Sequence, residues 1–163
     1  MKFLFLALAC GWVAFGQTDV PAKWTGTWVL NVPKSTFGQI LFPGAPDGFR
    51  VLSQTVRISG TAREIRLSGD TVFSDRDGSH TGHDDGLLRL DGTETTLGPG
   101  SFSLRRIDDS KFEVVSKMGG IREVSEFNFS SDGQTLTETK TQTAPDKKTS
   151  ISVLVFAKST AAK

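Results

Sequence analysis

Asp75-Arg76-Asp77-Gly78-Ser79-His80, followed by His83-Asp84-Asp85, is the densest run of chemistry-bearing side chains in the chain. Carboxylates two apart with a glycine suit calcium. His80 and His83 with Asp85 carry the donor types that hold zinc. Both patterns are incomplete: no Glu follows at the twelfth position of a calcium loop, and no flanking helices are expected. Asp-x-Asp-Gly is also ordinary hairpin chemistry, because Asp and Gly accept turn geometry. A solvated turn is therefore the preferred reading, with His80, His83 and Asp85 as the weak metal candidates and no cofactor expected.

Either histidine has the type of a general base. No Gly-x-Ser-x-Gly elbow exists, however, and no cysteine follows Cys10 to act as nucleophile. Gly98-Pro99-Gly100 lacks the Lys and the following helix that a phosphate loop needs. No catalytic constellation is evident, so the chain is expected not to be an enzyme; an enzyme using the His80/His83 region is the alternative.

Arginines offer a different chemistry. Arg57, Arg66, Arg106 and Arg122 fall inside strand-like runs. An Arg aimed into a barrel holds a ligand carboxylate with two parallel hydrogen bonds. Arg106 ranks first, since Phe102 and Leu104 share its face in the alternating run Ser101–Ile107. Phe102, Leu104 and Arg106, with Arg57 and Arg66, are the candidate ligand-binding residues. The competing reading turns each Arg outward, into solvent or onto a cross-strand acid such as Glu64, Glu113 or Glu123.

The elements that would position these groups are strands. Thr, Ser, Gly, Val and Phe are abundant, which suits strands and tight turns. Candidate strands are Thr27–Asn31, Gln54–Ser59, Glu64–Ser68, Thr71–Ser74, Leu87–Leu90, Ser101–Ile107, Lys111–Lys117, Arg122–Ser130, Thr135–Thr143 and Ser150–Lys158. Turn signals separate them, among them Ser68-Gly69-Asp70, Asp75 to Gly78, Gly119-Gly120 and Ser131-Asp132-Gly133. Such a chain is a sandwich or a barrel. Thr135–Thr143 puts every Thr on one face and Leu136, Glu138, Lys140 and Gln142 on the other. Polar residues on both faces favour a barrel with a partly wet interior over a dry sandwich. Ser150–Lys158 is apolar on both faces, which predicts something covering it. The long connection Pro33 to Leu52 holds Phe37, Ile40, Leu41, Phe42 and Phe49, and reads as a plug across a barrel end or a lid over a ligand.

The N-terminus has its own logic. Lys2, the apolar run Phe3 to Val13 and the small-x-small site Ala14-Phe15-Gly16 read as a signal peptide over residues 1–16. A periplasmic or extracellular destination follows. Ala7-Leu8-Ala9-Cys10 resembles a lipoprotein box, making a lipid anchor through Cys10 the minority reading. Removing Lys2 from 19 basic residues leaves 18, against 18 acidic ones. That balance gives no electrostatic case for nucleic acid. No later segment is apolar enough to span a bilayer as a helix.

Trp24-Thr25-Gly26-Thr27-Trp28-x-Leu30-Asn31-x-x-Lys34-Ser35-x-Phe37 resembles the opening of exported bacterial lipocalin-like proteins. Ser103 to Asp108, Phe112-Glu113-Val114, Ser131-Asp132-Gly133-x-Thr135-Leu136-Thr137 and the last strand ending in Lys158 match as well. The resemblance implies one all-β domain over 17–163, an antiparallel up-and-down barrel of the calycin type. It implies that Gly26 and Trp28 close one end, with Lys158 packed over the indole. Non-covalent binding of a small, partly apolar molecule, including an acid, is the leading expectation. A barrel filled by its own side chains and serving as an interaction module is the alternative.

Overall fold

Short alternating runs separated by Gly and Asp turns leave the backbone one way to satisfy its hydrogen bonds, by pairing with its sequence neighbours. The computed structural model describes residues 20–39 and 48–159. The leader expected at 1–16, Cys10, and Ile40, Leu41 and Phe42 of the plug or lid lie outside the described residues. The strands are β1 (Gly26–Leu30), β2 (Arg50–Gly60), β3 (Glu64–Asp75), β4 (Gly78–Arg89), β5 (Thr95–Leu97), β6 (Gly100–Asp108), β7 (Lys111–Met118), β8 (Ile121–Phe129), β9 (Thr135–Thr143) and β10 (Thr149–Lys158). All pair antiparallel in one sheet, ordered β4-β3-β2-β1-β10-β9-β8-β7-β6-β5.

The sheet curls into a nearly closed barrel. Its two ends meet where the chain leaving β4 reaches β6: the Gly92 N–H donates to the Leu104 carbonyl (2.9 Å) and the Arg106 N–H to the Leu90 carbonyl (3.3 Å). Farther along the seam, a Cβ on Gly86 of β4 would stand 3.1 Å from Leu97 Cδ1 of β5. A bare Gly86 is what lets Leu97 lean across.

Four elements differ from the sequence expectation: β2 begins at Arg50, inside the segment expected as plug or lid, and β5 forms where no strand was expected. Ser68-Gly69-Asp70 is no turn: Glu64–Ser68 and Thr71–Ser74 are one twelve-residue strand, β3. The run Ser79 to Asp85 is not a loop but the body of β4, in register with β3 from Asp75↔Gly78 to Glu64↔Arg89. Ladder pairing on a neighbouring strand outweighs the weak strand preference of Gly, Asp and Ser. The cover expected over β10 is not found among the described residues, where Ile151 on its outer face is 56% exposed.

One end of the barrel is solid. Trp24, Trp28, Phe112, Leu136, Phe156 and Leu104 are fully buried there. Trp24 stacks on Phe129 at 5.6 Å, Trp28 meets Phe129 edge-on at 5.4 Å, and Phe112 stacks on Phe127 at 4.6 Å. Offset and edge-on pairs are the favoured aromatic geometries. The Trp28 Nε1–H donates to the Trp24 carbonyl (3.0 Å), and the Trp24 Nε1–H to the Asp109 carbonyl (2.9 Å). Neither buried indole is left unsatisfied. Two cations cover the rings from outside: Lys158 Nζ sits 5.1 Å from the Trp28 centroid, and Arg106 Cζ 5.4 Å from that of Trp24.

Gly26 makes the Lys158 contact feasible. Its φ is +131°, and a Cβ there would fall 2.9 Å from Lys158 Cε. Gly26→Ala is therefore expected to lower stability by about 1–3 kcal/mol, through backbone strain and displacement of the lysine stem. Thermal unfolding of the variant checks this; an unchanged midpoint contradicts it.

Candidate functional site

Directly paired residues of an antiparallel ladder share a face, so the inner wall reads off in rows. From β10 to β7 the first row is Leu154, Glu138, Phe127 and Phe112. The next is Ser152, Lys140, Ser125 and Val114, and above it run Ser150, Gln142, Glu123 and Ser116. β6 continues these last two with Leu104 and Phe102. Across the lumen, β2 to β4 present Val56, Gly69 and Asp84, then Gln54, Thr71 and Gly82, then Val51, Phe73 and His80.

The β8–β9 wall carries a polar network. Lys140 Nζ lies 3.5 Å from both Glu123 Oε1 and Glu138 Oε1. The Ser125 hydroxyl donates to Glu138 Oε1 (2.8 Å), and the Gln142 Nε2–H to Glu123 Oε2 (2.9 Å). The side chain of Glu138 is 4% exposed, Glu123 18% and Lys140 27%. Glu138, then Glu123, hold the Lys140 ammonium above the ordinary lysine range against the cost of its desolvation. Two carboxylates share one ammonium, so the network keeps a net negative charge.

Burial is deepest at the sealed end and uneven beyond it. Phe102, Ser116, Glu123, Lys140, Ser150, Gln54 and Thr71 are half-buried, while Gln142 beside Glu123 and Ile121 one row beyond are buried. Water reaches these inward side chains at the end of the barrel away from the tryptophans. Gly69 and Gly82 leave the opposite wall without side chains: among the described residues, a Cβ on Gly82 would meet nothing closer than Phe73 Cε1 at 3.8 Å, and one on Gly69 only the Thr55 carbonyl at 3.5 Å. At the mouth, Phe49 stacks on Phe73 (4.9 Å) and Phe73 on His80 (5.4 Å). The His80 Nε2 contacts Asp75 at 3.2 Å. The Asp77 N–H, first, and His80 hold the Asp75 carboxyl below its usual range.

The candidate residues fall in different places. Phe102 and Leu104 are on the inner wall, Leu104 fully buried and Phe102 half-buried. Arg106 shares their face, but its guanidinium is at the sealed end, bonded to Asp109 and laid over Trp24. Arg57 and Arg66 point outward. Arg57 pairs with Asp70 (2.6 Å) and Arg66 with Asp85, its Nε–H donating to Oδ1 at 2.8 Å. The expectation of a lumenal arginine anchor is thereby corrected for these two: alternation puts them on the face opposite Val56, Ile58, Ile65 and Leu67.

His83 is also outside, on Asp70 at 2.8 Å, while His80 faces inward. Odd and even positions of a strand point to opposite faces, so His80, His83 and Asp85 do not converge. Among the described residues no group of three or more His, Cys, Asp or Glu is placed to hold a metal. Of the plug or lid, Phe37 is exposed and Phe49 joins the mouth stack. The start of this segment touches β10 through Thr36, whose backbone pairs with Val153, and through the Gly38 N–H, which donates to Ser152 Oγ (2.9 Å).

The Glu123–Lys140–Glu138 network was not among the candidates. Its signal was present in Thr135–Thr143, where the threonines and the longer side chains separate by face. What hid it is that the charged face is the inner one.

Against known proteins, no family model matches the chain and no curated protein matches it. Thirteen solved chains do. One is a Schistosoma mansoni fatty acid binding protein in complex with arachidonic acid, 11% identical, with 86% of this chain and 99% of that chain covered and a TM-score of 0.48.

Proposed function

We propose that the protein is exported and binds a small, partly apolar molecule non-covalently inside the barrel. The observation that carries this reading is the contrast along the inner wall: solid aromatic packing at one end, then inward side chains that meet water beside two bare glycines. Glycine inside a strand costs stability, and it marks places where another group approaches the backbone closely. A barrel serving only as a module would gain by filling those positions. Apolar ligand surface buried there contributes about 25 cal/mol per Å², and the polar network on the facing wall gives orientation. The leader-like residues 1–16 and the resemblance of Trp24 to Phe37 to the opening of exported lipocalin-like proteins support the site of action.

Filling the bare wall tests the reading. Neither Gly69 nor Gly82 has a positive φ, so side chains there are unstrained. Gly69→Leu with Gly82→Leu is expected to leave stability equal or about 0.5–1 kcal/mol higher, and to abolish the fluorescence rise of N-phenylnaphthylamine seen with the parent protein. No rise with the parent, or an equal rise with the variant, contradicts the proposal.

A further inference from the structure

We infer that the lumen selects a ligand whose polar end is an organic cation, an amine above all, rather than a carboxylic acid. This rests on the reading of the barrel as a binder and names the class of molecule it takes.

Two independent features meet. The first is the charge of the lining. Glu123 and Glu138 share the single ammonium of Lys140 on one wall. Asp84 follows Val56 and Gly69 in an inner row of the other. Among the described residues Glu123, Glu138 and the exposed Asp84 thus face the one ammonium of Lys140, apart from Asp75, which His80 engages. The other inner-face Lys and Arg among the described residues, Arg106 and Lys158, are spent at the sealed end over Trp24 and Trp28, with Arg106 also held by Asp109. At the mouth, His80 and Asp75 engage each other.

The second feature is shape. β3 and β9 are four strands apart in the sheet order, so their inner faces look at each other across the lumen. The bare backbone at Gly69 and Gly82 gives an apolar body a flat wall to lie against. From there its polar end reaches either the Glu123–Glu138 wall or Asp84. An ammonium placed there gains a charge-assisted hydrogen bond and offsets the uncompensated charge. A carboxylate meets like charge in a partly desolvated space, where repulsion is screened less than in water.

Calorimetric titration of the purified protein with decylamine, decanol and decanoate tests this, because the three differ in head group on one chain length. Decylamine is expected to bind at least about tenfold more tightly than decanoate, a gap that a single favourable charge contact supplies, with decanol between them. Glu123→Gln combined with Glu138→Gln leaves Lys140 as the dominant lumenal charge on that wall and should invert the order. Asp84→Asn, at an exposed position, retains the fold and should narrow the gap. Equal binding of amine and acid by the parent, or tighter binding of decanoate, overturns the inference while binding itself stands. If N-phenylnaphthylamine binds and none of the three does, the inference fails alone. If nothing binds, the reading beneath it fails.

Discussion

Trp28→Ala lowers the unfolding free energy by about 3–5 kcal/mol, the range for removing a large buried aromatic side chain. Trp28 is fully buried and touches three parts of the sealed end. Its ring edge meets Phe129 of β8, its Nε1–H satisfies the Trp24 carbonyl, and its outer face receives Lys158 of β10. It also lies in register with Val56 of β2 and Lys158 of β10, so the void opens where the chain's first and last strands are joined. A domain of this size has about 5–15 kcal/mol in total, so the variant sits close to unfolding. Lys158→Met removes only the cation and keeps most of the stem; it should cost about 0.5–1 kcal/mol. Urea denaturation of both variants reads the difference. Equal, small losses would mean that aromatic packing is not what holds the sealed end.

Lys140→Met is the second large effect, expected at about 2–4 kcal/mol near neutral pH. Losing one partner of a buried ion pair leaves the other charge uncompensated, at about 3–5 kcal/mol when burial is complete. Water reaches Lys140 and Glu123, which reduces the figure. Adding Glu138→Gln to Lys140→Met removes the stranded charge and should recover much of the loss. The alkaline limb gives a sign test. Because Glu138 and Glu123 hold the Lys140 ammonium above its ordinary value, its contribution is complete below the unfolded lysine value of about 10.4. The contribution is lost as pH rises beyond that, through the higher folded value. The parent should therefore lose stability more steeply on the alkaline side than Lys140→Met does. Parallel alkaline limbs would show that Lys140 is not coupled to the two carboxylates.

The all-β architecture was legible because turn chemistry and alternation are local. The Gly119-Gly120 and Ser131-Asp132-Gly133 turns fall between strands, and β6 to β10 lie within a residue or two of the runs read from the sequence. Gly69 misled because a glycine flanked by Ser and Asp looks like a turn, and its partners Val56 and Asp84 across the two ladders make it strand. β5 is three residues held by pairing to β6 and carries no pattern of its own. The candidate site was harder to read. Alternation fixes which residues share a face but not which face is inside. For Arg57 and Arg66 the apolar neighbours Val56, Ile58, Ile65 and Leu67 settle the matter, since they claim the interior. In β9 only Leu136 is apolar, so the inner position of Glu138 and Lys140 follows from pairing to Phe127, Leu154 and Ser125, a tertiary fact. Arg106 has the expected face, yet its register opposite Phe112 puts it at the sealed end, where Asp109 and Trp24 hold its head.

The claim beneath all of this is that the barrel holds a molecule. Native mass spectrometry of the purified protein, after incubation with a metabolite and lipid extract, measures it most directly. The account predicts a discrete added mass of small-molecule size on the parent and its absence from the Gly69→Leu/Gly82→Leu variant. Bare protein in both samples, or the same added mass on both, would contradict it.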